Sequence, residues 1–377
     1  MSAIPFHIAP QTGSELQFLA DVFKRGKISG DGYYSRLCQD WFKNRYHFPH
    51  TLLTTSCTDA LEMAALLCPI EPGDEVIAPS YTFVSTVNAF ALRGAHIRFA
   101  DSQPNHPNIN LDEVESLITP RTRALIVVHY AGMACDMNKA QALCKRYNLK
   151  LIEDAAQAID AYYYDSPLGS LSDYATFSFH DTKNVIAGEG GLLVVNRQED
   201  QLRAEIIREK GTNRSAFLRG EIDKYTWVDI GSSYLPSELN AAVLWAQLQA
   251  IDASQHHRHA LWQHYYESLA ELEAHGVLQR PHTPAGAKHN AHIFYIIAPS
   301  LEHREKWALH LKQADIATAS HYNALHNSHF YRQQQKEHVP SLPHSERYTD
   351  TLLRLPLYNA LTHEAVDRVI NTLKHIL

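Results

Sequence analysis

The 377-residue chain lacks any run of apolar residues long enough to cross a bilayer. Its longest apolar-rich stretch, Ala124 to Cys135, is far too short to span and is interrupted by His129, so no membrane insertion is expected. The opening MSAIPFHIAPQTG lacks a basic segment followed by an apolar one, which argues against a secretory leader. Cysteine is scarce: Cys38, Cys57, Cys68, Cys135 and Cys144 make an odd count with no CxxC pair. That fits reduced thiols in a cytoplasm better than a disulfide framework or a zinc ribbon. Basic residues do not dominate, since 34 Lys and Arg face 41 Asp and Glu for a formal charge of −7. A dedicated nucleic-acid or anionic-membrane surface is therefore not expected. No HExxH or paired Cys/His spacing marks a metal site, and no fixed-period repeat is present. Histidine alone is in surplus, with 24 residues.

At 45% hydrophobic and 20% charged, the chain can bury a sizeable core. The length suggests two domains, or a large one with a smaller companion. Candidate strands are Glu75–Ala78, Ile97–Ala100, Ala124–Tyr130, Leu149–Glu153, Tyr174–Phe179 and Gly191–Val195. Helical patterns lie between them at Thr58–Leu67, Ser85–Arg93, Leu111–Ile118 and Met137–Tyr147. This alternation predicts an α/β fold with a mostly parallel sheet and sites at the carboxyl ends of its strands. A long helical text after Ser237 leads to a region richer in histidine and proline. The division expected is a large domain of residues 1–254, N-terminal segment included, and a smaller one of 255–377, with the helix crossing the boundary.

Chemistry collects in three clusters. Leu53-Thr-Thr-Ser-Cys-Thr58-Asp59 is a polar turn running into a helix, where free amides bind phosphate well. Glu153-Asp154-Ala-Ala-Gln157 follows an apolar strand, so its carboxylate could cap a helix, hold a metal or pair with a cationic ring nitrogen. Ser178-Phe-His180-Asp-Thr-Lys183 ends another strand and runs into Gly188-Glu-Gly-Gly191. A desolvated lysine there has a lowered pKa and attacks carbonyls. A phosphate-binding helix start, an acid, a hydroxyl and a lysine together make the set that pyridoxal phosphate (PLP) requires. Tyr81, after a further strand, could stack on the cofactor ring or belong to the core.

At these residues the sequence resembles the PLP-dependent sugar aminotransferases of the DegT/DnrJ-like family, over nearly the whole chain. The resemblance is carried by Lys27-Ile-Ser-Gly30-Asp-Gly32, Pro79-Ser-Tyr81-Thr-Phe, Glu153-Asp154-Ala-Ala-Gln157, Phe177-Ser-Phe-His-Asp-Thr-Lys183-Asn, Gly188-Glu-Gly-Gly191 and Leu353-Arg-Leu-Pro-Leu-Tyr358. It implies fold type I, with a seven-stranded sheet domain and a smaller C-terminal α/β domain. It also implies that Lys183 bonds the cofactor and shuttles protons, and that Asp154 keeps the pyridinium nitrogen protonated. Gln157 would face the 3-hydroxyl side, and Tyr81 would cover the ring. Thr58, Asp59 and Ser178 would hold the phosphate. Relatives place an asparagine where this chain has Ser233, reaching the neighbouring subunit's cofactor, so a homodimer with shared sites is implied.

The segments Arg208–Ser215, Asp223–Trp227 and Asp229–Leu235 resemble a branch that aminates C4 of dTDP-4-keto-6-deoxyglucose from L-glutamate. Its galacto-configured product serves surface polysaccharide of the enterobacterial common antigen or O-antigen type. Ser29, His180, Arg214, Arg219, Tyr322 and His326 are then candidates for the sugar-nucleotide side. His326 could instead be a satisfied structural histidine, and the run His256-His257-Arg258-His259 suits a solvated helix face. Other expectations kept open are a gluco-configured or 3-amino product and a non-catalytic PLP-binding regulator. An NAD-dependent sugar enzyme would need a GxGxxG that Gly188–Gly191 does not supply.

Overall fold

The computed structural model describes residues 2–334 and 339–375. Its centre is a seven-stranded sheet: β1 (Thr51–Thr54), β2 (Glu75–Pro79), β3 (His96–Ala100), β4 (Thr122–Val128), β5 (Lys150–Asp154), β6 (Tyr174–Ser178) and β7 (Gly191–Val195). The spatial order is β1-β7-β6-β5-β4-β2-β3. β7 runs antiparallel to both its neighbours, and the other contacts are parallel. Six of these strands are buried along their whole length or nearly so, as a sheet covered by helices on both faces requires.

Two differences from the sequence reading have local causes. β1 reads as part of a polar turn because it is only four residues with a threonine at each end; all four are buried against β7. β4, expected to continue to Tyr130, stops at Val128. There His129 N–H donates to the Asp154 carbonyl, and Ala131 turns the chain with φ 59°.

Helices α1 (Glu15–Arg25) and α2 (Tyr33–Tyr46) precede the sheet, and α3 (Cys57–Leu67), α4 (Ser85–Ala91), α5 (Leu111–Leu117), α6 (Met137–Tyr147) and α7 (Gln201–Arg208) accompany it. The connector is two helices, α8 (Glu238–Gln249) and α9 (Ile251–Ser268), broken at Ala250. The start of α2 is held by α8: the buried Glu238 carboxylate accepts from the Gly32, Tyr34 and Ser35 amides and from Ser35 Oγ. Orphan amides at a helix start need such a partner. Glu238→Ala is expected to cost about 2–4 kcal/mol, because several buried donors lose their acceptor together. A shift in the denaturant midpoint measures it, and an unchanged midpoint would refute the assignment.

Beyond α9, the strands β8 (Phe294–Ile297) and β9 (Leu352–Leu355) form an antiparallel pair. They pack with α10 (Leu301–Gln313), α11 (Pro343–Thr351) and α12 (His363–Lys374). The expected boundary at 254/255 lies inside α9. The N-terminal segment, counted with the large domain on sequence, crosses over: Ile4 exchanges backbone bonds with Asp315 and Ala317 and joins the C-terminal core. Among the described residues no helix is long and apolar enough to cross a membrane.

Candidate active site

The carboxyl ends of the parallel strands, the N-terminal crossing segment and β9 enclose a cavity of 480 Å³. The β1–α3 turn supplies its first wall. Ser56 caps α3 by accepting from Asp59 N–H at 3.1 Å, and Thr58 Oγ1 is bonded to Ser85 Oγ at 2.8 Å. Sheet order then brings Ser178 alongside, because β7 pairs with both β1 and β6: Gly191 faces Thr54 on one side and Ser178 on the other. Any Cβ at Gly191 would overlap the Ser56 carbonyl and the Cys57 amide, so the helix start can approach the sheet only at glycine. Hydroxyls and a helix N-terminus thus converge where an anion is stabilised.

Asp154 ends β5, beside Val128 of β4 and Thr176 of β6. Its carboxylate accepts from Thr86 Oγ1 at 2.7 Å and Ala156 N–H at 3.1 Å. Burial nonetheless pushes its pKa above the usual carboxylate range. Lys183 sits in the turn after β6, its amide bonded to His180 O at 3.0 Å. The next residue fixes that turn: Asn184 Nδ2 donates to Gln255 Oε1 and to Asn290 O, and Asn184 Oδ1 meets His292 Nδ1 at 2.8 Å. Burial holds the Lys183 ammonium below its ordinary value, and the charge of Arg354 adds to this, against the opposite pull of Cys57 and Asp154.

Lys183, Asp154, Gln157, Ser178, Thr58, His180 and Tyr322 all line this cavity. Gln157 accepts from Ala131 N–H and donates to Tyr322 OH at 2.9 Å, which orients both side chains. Other candidates lie elsewhere. Asp59 is not in the wall; its amide is taken by Ser56 and its carboxylate by Thr55 Oγ1, and Ser56 faces the cavity instead. Tyr81 is 1% exposed and packs among Tyr130, Tyr322 and Tyr348, so it is core, and Phe83 two residues later lines the cavity. His326 is fully buried between Ser80 Oγ and Glu346, a structural histidine rather than a wall residue.

Ser29 and Ser233 are exposed away from the chain's own cavity. Arg214 pairs with Glu209, and Arg219 pairs with Glu205 and Glu221. Sequence reasoning missed Phe6, His7, Thr86, His292, His321 and Arg354. For Arg354 the signal was its place in the Leu353–Tyr358 motif, and for His321 its position next to Tyr322. For Phe6 and His7 there was none, because only the crossing of the N-terminal segment brings them in.

These residues fit PLP. A buried carboxylate with a raised pKa calls for a cation, which a protonated pyridine nitrogen supplies. The lysine and the hydroxyl-lined helix start fit the aldehyde and the phosphate. In cofactor-free protein, Lys183 titrates below the 10.5 of an unfolded chain. Between those two values the unfolded state binds one more proton, so stability rises with pH, by up to about 1.4 kcal/mol per unit. In Lys183→Met that rise is expected to disappear. Urea midpoints of the two proteins across the alkaline range check it, and parallel curves would disprove a lowered lysine.

A model of the DegT/DnrJ/EryC1/StrS aminotransferase family matches residues 11–374. An uncharacterized protein of Methanocaldococcus jannaschii is 30% identical over 348 residues, 90% of this chain and 89% of its own length. Among solved structures, DesV of S. venezuelae is 30% identical with a TM-score of 0.90, covering 100% of this chain and 99% of its own. The aminotransferase TlmJ from Streptoalloteichus hindustanus is 26% identical with a TM-score of 0.89, covering 99% and 98%.

Proposed function

We propose that this chain, which belongs to the DegT/DnrJ/EryC1/StrS aminotransferase family, moves the amino group of L-glutamate to C4 of dTDP-4-keto-6-deoxy-D-glucose. Membership makes it a PLP-dependent sugar aminotransferase of fold type I. The finer reading names the donor, the sugar and the galacto-configured product, destined for surface polysaccharide. The observation that carries the chemistry is the cavity lined by both Lys183 and buried Asp154, beside the hydroxyls of Ser56, Thr58 and Ser178. The choice of sugar rests on the resemblance of residues 208–235.

PLP, when bound, supplies an electron sink for the carbon that bears nitrogen. Ser56, Thr58, Ser178 and the α3 amides would hold its phosphate, Asp154 its ring nitrogen and Gln157 its 3-hydroxyl side. Phe83, which lines the cavity, would cover the ring. Lys183, whose charged form burial disfavours, takes the proton from Cα of glutamate and returns one to C4 of the sugar. Incubation with both substrates, with C4 configuration read by NMR, tests the assignment. An equatorial 4-amine, or amination of a 3-keto isomer alone, would reject it.

The partner in this reading is a second copy. Leu218, Trp227, Val228 and Ile230 are all exposed on one segment, Trp227 at 77%, and apolar side chains of this kind suit an interface between copies. A homodimer would cover it and carry Ser233, Arg214 or Arg219 towards the other cavity. Trp227→Glu combined with Ile230→Glu is expected to shift sedimentation to the monomer and lower turnover. Wild-type protein that sediments as a monomer would exclude the shared site.

A further inference from the structure

One cavity histidine has a ring nitrogen with no assigned task. His292 lies two residues before β8, is 5% exposed and lines the same cavity as Lys183. Its backbone is held firmly. Arg258 donates to the carbonyls of Ala291 and His292, at 3.2 and 2.6 Å, and also to Leu357 O and Asn359 Oδ1. Ala291 itself is left-handed, with φ 48°, a conformation an alanine adopts only where its surroundings enforce it. Backbone strain of this kind gathers where a side chain has to be placed for a ligand.

The tautomer of the ring follows from its neighbours. Asn184 Nδ2 donates to the backbone carbonyl of Asn290 at 2.9 Å and to Gln255 Oε1 at 3.0 Å. A carbonyl only accepts, so the amide nitrogen lies on that side and Asn184 Oδ1 meets His292 Nδ1 at 2.8 Å. An amide oxygen also only accepts, so Nδ1 carries the hydrogen. Burial disfavours a second proton on the ring, and the charges of Lys183, Arg258 and Arg354 act in the same direction. Nε2 is therefore a bare acceptor, and among the described residues no donor meets it.

The two substrates differ in what they offer such an atom. L-Glutamate brings two carboxylates, which only accept, and an ammonium whose nitrogen goes to the cofactor. Carboxylate oxygens set against a bare ring nitrogen repel it. The keto sugar brings hydroxyls at C2 and C3, the second on the carbon next to the reacting one. We propose that His292 Nε2 accepts the hydrogen bond of the sugar's C3 hydroxyl. This rests on the amino-transfer reading above. One frame then serves two ends: Asn184 follows Lys183 in the turn and holds His292, so the group that protonates C4 and the group that holds C3 are linked through a single side chain. A held C3 limits which face of C4 the lysine meets.

The test uses holoenzyme and separates the two halves of the reaction. His292→Asn can keep the N–H that meets Asn184 while removing the Nε2 acceptor. Return of the amine from aminated enzyme to the keto sugar should lose about tenfold in kcat/KM, the scale of one neutral hydrogen bond. Amination of the cofactor by L-glutamate should change less than about threefold, since no sugar hydroxyl is then present. The 3-deoxy keto sugar should cost the wild type about tenfold and the variant less than about twofold, because the variant has no acceptor left to disappoint. Calorimetry with dTDP-6-deoxyglucose, which lacks the ketone, should show about tenfold weaker binding in the variant and equal binding of dTDP alone. Equal loss in both halves, or a 3-deoxy penalty as large in the variant as in the wild type, overturns the assignment. Should the variant misfold, a wild type indifferent to the missing hydroxyl overturns it as well. Wild-type enzyme that is aminated by glutamate yet ignores the keto sugar refutes the substrate reading and this assignment with it. Wild type and variant that use the sugar equally well refute the assignment alone.

Discussion

Lys183→Ala is expected to reduce amino transfer by at least about 10⁴-fold, the scale of losing both the covalent anchor and the proton carrier. Both roles fall on one amine because the turn after β6 delivers a single lysine into the cavity. Its neighbour Asn184 is tied to Gln255, Asn290 and His292, which fixes the turn that carries the lysine. Borohydride treatment of the wild type followed by peptide mass analysis should place the cofactor on Lys183, and the variant should retain none covalently. A Lys183→Ala protein that still aminates the sugar would end the mechanism. The fold should survive, since removing a buried cation relieves a desolvation cost.

Asp154→Asn should lower turnover by about 10³-fold while preserving shape, because preorganised charge at a reacting system is worth roughly 3–4 kcal/mol. Asparagine can keep the contacts to Thr86 and Ala156 but cannot hold a pyridine nitrogen in its protonated form. The expected signature is a lower kcat with a smaller change in the affinity for glutamate, together with looser cofactor retention on dialysis. Activity within tenfold of wild type would show that the carboxylate serves structure only. The raised pKa of Asp154 in the cofactor-free protein points the same way: the site is built for a positive partner.

Much of this site is legible in the sequence because strand ends announce it. Asp154, Ser178 and Lys183 each follow a buried β-branched or aromatic run, and each is a residue type whose burial demands a purpose. The α3 start is legible for a similar reason, since Ser56 and Thr58 precede a helix with an apolar face. The failures are equally physical. Asp59 and Ser56 are both good capping types, and only the bond from Asp59 N–H to Ser56 Oγ decides which of them faces the cavity. Tyr81 and Phe83 sit on the irregular turn after β2, where no period tells which aromatic packs in the core and which meets the cavity. His326 looked like a pocket residue beside Tyr322, yet Ser80 and Glu346 had already claimed both its nitrogens.

The sequence by itself determined the α/β alternation and marked the lysine, the acid and the helix start that line the cavity, because these depend on local periodicity and on residue chemistry. It also marked histidine as the surplus residue. Tertiary structure decided the rest. It placed Gly191 between Thr54 and Ser178, moved the N-terminal segment across to Ile316, and set His7, His292 and His321 in the wall, sites that lie far apart along the chain. It also left Arg354 Nε without a hydrogen-bond partner among the described residues while giving Arg258 four acceptors. Whether an arginine finds acceptors inside the protein depends on the carbonyls and carboxylates that other segments bring near, and no local pattern encodes that.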